Sequence, residues 1–285
     1  MFDSPYDRAF GVEIECGFPT GVYGAEDLIR SIWDDAWNKG WSVGSDGTDV
    51  EIRTPILEGE EGYETLKRTM AIIRERGGYV TPADGMHVHH DAPDFAAEPA
   101  LVVPLVESWR RNKTSIDALV TPRRRGNYGA CPEWSDMAFE ALKAWAEGRE
   151  QYLRVGRNDL NVASLQRNRP SIEIRLHEGT LDGDVAVSWV QFGQKFLNDV
   201  TKLKGRRLRK RDTDELLLDR IKLTPEATAI LLAKKQYDFV TPDMNFWIRR
   251  KPREQFVRER VEVEADYDEY DDDYCDCEMC RGRED

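Results

Sequence analysis

Three short segments place a charged residue at every second position among aliphatic ones: Glu13-Ile14-Glu15, Glu51-Ile52-Arg53 and Glu173-Ile174-Arg175. A β-strand turns successive side chains to opposite faces, so each segment sorts its charges from its aliphatic groups only when extended. The pattern therefore predicts a sheet with one apolar face and one face carrying carboxylates and guanidiniums. Antiparallel sheets tolerate such asymmetry, and a solvated face with cross-strand ion pairs would account for any one segment taken alone. Taken with His87-Val88-His89, whose imidazoles also share a face, the three segments point to a single groove lined by several carboxylates, two imidazoles and two arginines. Such a groove suits metal-bound phosphates, because Mg²⁺ prefers oxygen ligands and arginine offers a planar fork to a transferring phosphoryl group.

The remaining elements fit an α+β chain. Phe10 to Phe18 alternates as a strand, and 25–39 has helical spacing through Leu28, Ile32, Trp33 and Ala36 or Trp37, with Gly40 behind its end. Trp41 to Val43 leads through the turn-like Gly44-Ser45-Asp46-Gly47 into Val50 to Pro55, which predicts a hairpin. Helices are expected over 60–76, 99–119 (with Pro104 delaying or kinking the start), 137–151 and 184–203, and strands over 86–89, 152–164 and 171–177. Residues 121–132 form a loop rich in Pro, Gly and Arg, and Leu223-Thr224-Pro225-Glu226 opens a further helix. If the last strand stays regular, His177 shares the face of Glu173 and Arg175, but the adjacent Gly179-Thr180 break favours a structural role.

In order along the chain, Gly11-Val12-Glu13-Ile14-Glu15, Asp46-Gly47 with Glu51-Ile52-Arg53-Thr54-Pro55, Gly85-Met86-His87-Val88-His89 and Ser171 to Leu181 resemble the motifs of the amidoligases. The resemblance spans most of 8–200. That family is similar to glutamine synthetase and γ-glutamylcysteine synthetase. The resemblance implies a glutamine-synthetase-like catalytic core, a curved antiparallel sheet flanked by helices. It also implies an ATP- and Mg²⁺-dependent ligase that joins a carboxylate to an amine through an acyl phosphate. By the same resemblance, Glu13, Glu15, Glu51 and Glu173 are candidate Mg²⁺ ligands. His87 and His89 would face nucleotide phosphate or metal, and Arg175, with Arg53 and Glu51, would serve the transfer itself. Arg123, Arg124 or Arg125 of the basic loop would close over the site or hold a substrate carboxylate, with Arg124 the choice for cofactor binding. Asn161, with Arg154 or Arg157, matches family positions just ahead of the last motif. Two other readings stay open: a phosphotransferase on the same fold, and a non-catalytic ligase-like docking protein. The expected substrates are carboxylate- and amine-bearing molecules such as amino acids or peptides.

Composition bounds what else the chain can be. Of its 285 residues 40% are hydrophobic and 33% charged, enough for a buried core under a hydrated surface. A net charge of −13 argues against general nucleic-acid binding. A basic block (Lys202, Lys204, Arg206, Arg207, Arg209, Lys210, Arg211) reads either as a solvated helix end or as a docking surface for an acidic partner. The expected division is a catalytic core over 1–203, a basic and accessory helical region over 204–260, and an acidic tail over 261–285 that is disordered in isolation and available to a protein partner. Cys275, Cys277 and Cys280 supply three soft ligands where a closed zinc site normally needs four. Histidines 87, 89 and 90 with Asp91 or Glu13 offer a transition-metal alternative, which the abundance of carboxylates disfavours. With no apolar leader, no membrane-length apolar run and no disulfide pattern, a cytosolic protein is expected.

Overall fold

A computed structural model describes residues 8–33, 35–46, 49–125, 132–203 and 213–233. The readings placed on Gly47, on 204–211 and on the cysteine-containing tail lie outside these residues. In chain order the elements begin with β1 (Phe10–Cys16), α1 (Gly21–Ile32), β2 (Ser42–Asp46), β3 (Asp49–Arg53), α2 (Gly59–Glu75) and β4 (Gly85–Asp91). They continue with α3 (Pro93–Ala97), α4 (Val102–Asp117), α5 (Asp136–Ala146), β5 (Leu160–Asn161), β6 (Ser171–Glu178), α6 (Gly183–Lys202), α7 (Asp214–Arg220) and α8 (Pro225–Ala233). Short 3₁₀ turns occupy 99–101, 122–124 and 163–166. The six strands form an open sheet in the order β2-β3-β1-β4-β6-β5, with every pairing antiparallel.

The period-two segments form the centre of this sheet. Val12 and Ile14 of β1, Ile52 of β3, Val88 of β4 and Ile174 of β6 are all buried, at 0 or 1% exposure. Helix α1 lies against β2 and β3, α6 lies against β4, and α2 packs on α6. Leu66, Met70 and Ile73 of α2 and Trp189, Phe192 and Phe196 of α6 complete the core, and each fully buried aliphatic side chain is worth roughly 1.5–3 kcal/mol. Tyr63 of α2 donates to Gln194 of α6 at 2.6 Å, and Gln194 donates to the carbonyl of Arg8 at 2.6 Å, so the two long helices are tied to the start of β1.

Two expectations are corrected, and two that were conditional are decided. Helix α1 begins at Gly21 and ends at Ile32, because Trp33 is extended and Asp35 takes a left-handed φ of 57°. The chain then turns back so that Trp33 stacks on Trp41 with ring centroids 5.7 Å apart, while Trp37, which continued the helical spacing, lies beyond the end of α1 with the guanidinium of Arg30 4.7 Å from its ring. Of 152–164 only Leu160 and Asn161 join the sheet, because Gln166 already takes the N–H of Leu153 at 2.6 Å and donates to the carbonyl of Gln151 at 3.0 Å. The α-helix starts at Val102 after a 3₁₀ turn over 99–101, later than 99, and this puts Pro104 in the first turn of α4, where its missing N–H costs nothing. In β6 the register with β4 shifts: Val88 opposes Ile174 but Met86 opposes His177, so Arg175 and Leu176 together face His87. That extra residue turns His177 away from Glu173 and Arg175, and its ring packs 5.0 Å from Trp189 of α6 in a structural role. Among the described residues no helix is long and apolar enough to cross a membrane.

Candidate active site

The face of the sheet opposite α6 gathers the charged positions of four neighbouring strands. Register alone brings Glu13 opposite Arg53 on one side and His87 on the other, Glu15 opposite Glu51, and His89 and Asn161 on either side of Glu173. This is no solvated surface: Glu13, Glu15, Glu51, His87, His89 and Glu173 are all 7% exposed or less. Buried charges are tolerated when paired, and each of these has an ion-pair partner. Arg53 pairs with Glu51 and lies 3.7 Å from Glu13. Arg175 donates to Glu173 at 2.6 Å, and Asn161 donates to the other oxygen of that carboxylate at 2.8 Å.

The imidazoles of β4 fill the space between the carboxylates. His87 Nδ1 lies 3.0 Å from Glu13 Oε2, its Nε2 lies 3.3 Å from Glu15 Oε1, and His89 Nε2 lies 3.4 Å from Glu13 Oε1. A neutral imidazole has a single N–H, so His87 satisfies both carboxylates only as an imidazolium or with a cation standing in for one proton. Burial alone would raise the carboxyl of Glu13, but hydrogen bonds from His87 and His89 outweigh it and hold the group well below the usual carboxylate range. Burial likewise opposes ionisation of Glu173, but the guanidinium of Arg175 beside it, together with His89 and His87, more than compensates, so it too is lowered. Burial works against the charge on Arg175, yet Glu173 and Glu13 raise it above its ordinary value. Glu13 and Glu173 are thus carboxylates, and Arg175 a guanidinium, at neutral pH.

Glu13, His89 and Glu173 each offer a ligand atom, and the three lie within 4.8 Å of one another. Two carboxylate oxygens and one imidazole nitrogen, all buried, are donors suited to Mg²⁺ or Mn²⁺ and contain no thiolate that would select a softer ion. The residues present therefore fit a divalent cation. His90 takes no part: it faces α6, where a Cβ on Gly193 would lie 2.2 Å from its Nε2, and neither of its ring nitrogens has a hydrogen-bond partner among the described residues. This removes the three-histidine transition-metal arrangement.

From the basic loop it is Arg124 that reaches this face. Its side chain is buried at 2% exposure and donates to the carbonyl of Asp84, whereas Arg125 is exposed and turns its Nε to the carbonyl of Val120 at 3.0 Å. Arg154 and Arg157 are exposed and are not brought to the cluster. The side chain of Arg123 lies outside the described residues.

Two positions that carried no role in the sequence reading organise this end. Gly85 donates its N–H to Glu15, and a Cβ there would lie 2.8 Å from Arg124 Nη2, 2.9 Å from His87 Nε2 and 3.1 Å from Glu15 Oε2. The missing side chain is what lets the three polar groups converge, a signal present in the sequence only as a glycine beside the histidine pair. Glu178 accepts from the N–H of Thr121 at 3.3 Å and so fixes the start of the arginine turn. Plain alternation from Glu173 puts Glu178 on the wrong face, and only the bulge in β6 sets it opposite Gly85.

The family model described as "Putative amidoligase enzyme" matches residues 34–197, more than half of the 285. A search of curated proteins found no match. Among solved structures, one described as "GmaS/ADP complex-Conformation 1" has a TM-score of 0.41 and 10% sequence identity, covering 90% of this chain and 73% of that one. The matched span holds the elements from β2 to β6 and most of α6, including Glu51, His87, His89 and Glu173. The chain belongs to the amidoligase family.

Proposed function

We propose that this protein is an ATP- and Mg²⁺-dependent ligase that forms an amide or isopeptide bond between a carboxylate and an amine, acting in the cytosol on amino acids or peptides. One observation carries the reading: in a chain of this family, Glu13, His89 and Glu173 present buried ligand atoms within 4.8 Å of one another, between the guanidiniums of Arg53 and Arg175. Glu13, Glu173 and His89 would hold the cation, with Glu15 and Glu51 as its outer carboxylates. When bound, the ion would supply charge neutralisation for nucleotide phosphates.

A carboxylate is a poor electrophile. Its oxygen would therefore take the γ-phosphoryl group of ATP with release of ADP, and the amine would then attack the acyl carbon, expel phosphate and lose its proton. Arg175 and Arg53, held by Glu173, Glu51 and Glu13, are fixed cations beside this reaction centre, and fixed charges aimed at developing charge need no reorganisation during the step. Arg124, anchored on Asp84, would bind phosphate or the substrate carboxylate from the loop side. His87 would bridge Glu13 and Glu15 through its two ring nitrogens, and Asn161 would orient Glu173.

Calorimetry of ATP with and without Mg²⁺, on wild type and on Glu13→Gln/Glu173→Gln, tests the reading. Metal-dependent binding that disappears in the double variant is the expected result. A wild type that binds no nucleotide with any divalent ion sinks it, and a stable phosphorylated product without an amide sinks ligation in particular.

A further inference from the structure

Strand β5 is only two residues long, yet it positions Asn161 against Glu173 and lies beside Arg175. So short a ladder cannot hold its own register. The residue that holds it is Asp159, fully buried immediately before the strand. All of its polar groups are engaged: its N–H donates to the carbonyl of Pro132 at 2.9 Å, and its carbonyl accepts the N–H of Arg175 at 2.9 Å. Carboxylate Oδ1 caps the N–H of Leu160 at 2.9 Å, while Oδ2 accepts from the indole of Trp109 at 3.0 Å and lies 3.3 Å from Lys113 Nζ. Trp134 closes the outer edge by donating to the carbonyl of Leu160 at 2.9 Å.

We propose that Asp159, anchored by Trp109 and Lys113 of α4, is a positioning residue for the active site, setting the β5 edge that places Asn161 and Arg175 on Glu173. It rests, for its effect on metal, on reading Glu13, His89 and Glu173 as the cation site. Asp159 touches none of these ligands; it acts through Leu160 and Asn161 and through the backbone of Arg175. A buried carboxylate paired with a lysine on a separate helix fixes a distance that packing alone leaves adjustable, and Asn161 needs that precision because its amide faces two ways: Nδ2 to Glu173, Oδ1 to the N–H of Ala163 at 3.0 Å.

The test compares the full chain with Asp159→Asn, Trp109→Phe and Glu133→Gln, the last at the exposed end of the same ion cluster, 3.6 Å from Lys113. Mn²⁺ affinity is measured by calorimetry, amide hydrogen exchange by segment, and folding by thermal melting. Asn161 is the group that orients the ligand Glu173, and loss of such a group typically changes affinity by about 10–100-fold, so Asp159→Asn, acting one step further away through it, is expected to weaken Mn²⁺ by up to about tenfold. Exchange should quicken at 160–161 and 173–175 while β1 and β4 stay protected. Trp109→Phe, which keeps the ring packed on Phe196, shifts both readouts in the same direction by less and serves if Asp159→Asn does not fold. Glu133→Gln behaves as wild type. A folded Asp159→Asn protein with unchanged exchange at these amides overturns the proposal, as does a lowered melting temperature with intact Mn²⁺ affinity. A wild type that binds no Mn²⁺ overturns instead the cation-site reading, and the exchange pattern then decides the positioning claim alone.

Discussion

Two glycines on opposite faces of the same sheet offer one matched perturbation with opposite consequences. Gly85→Ala adds a methyl that meets only the far ends of Arg124, His87 and Glu15, at 2.8 to 3.1 Å. Those ends can swing aside, and replacing glycine within a strand returns roughly 0.5–1 kcal/mol of chain entropy, so the folded state should change by less than about 1 kcal/mol. The site should not survive as well, because the methyl takes the space in which guanidinium, imidazole and carboxylate converge. Gly193→Ala in α6 adds the same methyl 2.2 Å from His90 Nε2 and 2.9 Å from Ile174 Cδ1. There the neighbours are a fully buried ring and a core aliphatic. The helix-propensity gain of about 1 kcal/mol is set against overpacking of about 1–3 kcal/mol, and a contact this far inside van der Waals range belongs at the upper end of that cost. Gly193→Ala should therefore lose about 2 kcal/mol while keeping its affinity for Mn²⁺ under folding conditions, and Gly85→Ala should do the reverse. Urea unfolding with Mn²⁺ calorimetry on both proteins decides it. Unchanged affinity in Gly85→Ala, or undiminished stability in Gly193→Ala, would refute the assignment of the two faces.

Three further outcomes follow from the same packing. Burial, with Arg8 and His89 adding to it, pushes the imidazole of His90 from 6.5 down to about 3, so between those values the unfolded chain binds a proton that the folded one does not. Its contribution is full above pH 6.5 and falls as pH drops, by about 1.4 kcal/mol per unit; relative to His90→Leu, wild type should lose about 2 kcal/mol between pH 7.5 and 5 in denaturant titrations, and parallel curves would exclude this origin. Arg8, 1% exposed, forks onto Asp94 and donates to Asn198 at 2.6 Å, so Arg8→Met should cost about 3 kcal/mol, with Arg8→Lys recovering little because it lacks the fork; a loss under about 1 kcal/mol by urea unfolding would contradict this. Arg124→Ala should abolish Mg²⁺-dependent ATP binding while Arg125→Ala leaves it intact, and equal effects would contradict the inward placement of Arg124.

Much of the site was legible because strand alternation is a local code. Glu13 and Glu15, Glu51 and Arg53, Glu173 and Arg175, and the histidine pair each declare a shared face within three residues, and once the sheet forms the faces coincide. What was not legible depends on partners distant in sequence. Nothing near Arg124 distinguishes it from Arg125; the distinction is made by the carbonyl of Asp84, 40 residues away. Asp159 gives no local sign that Trp109 and Lys113 will hold it. Helix α1 was overextended because Ala36 and Trp37 continue the apolar spacing of Leu28, Ile32 and Trp33 past the point where the chain turns. The strand expected over 152–164 was overlong because side-chain amides can satisfy a backbone as well as a neighbouring strand can.

The bulge in β6 links these successes and failures. Without the extra residue, His177 would stand on the charged face beside Arg175, and Glu178 would point among the helices, where no cation is described to meet it. With it, the ring goes to Trp189 and the carboxylate to Thr121, the first residue of the turn that carries Arg124. The charged face then has a definite order across the sheet: Arg53 on the β3 side, Glu13 and Glu15 on β1, imidazoles on β4, and Glu173 with Arg175 on β6. Arg53 and Arg175 stand at the flanks and Arg124 at the Gly85 end of β4, while the ligand atoms of Glu13 and Glu173 come together at the centre, with His89, within 4.8 Å of one another. That is where His87 and His89 have been placed, and an imidazole is the side chain that can yield its proton when a divalent ion arrives. Metal binding at this site should therefore release protons, and calorimetric titrations of Mn²⁺ in two buffers of different ionisation enthalpy should give different apparent heats. Identical heats would mean that the imidazoles carry no exchangeable proton between the carboxylates, and that the ion, if it binds, does so elsewhere.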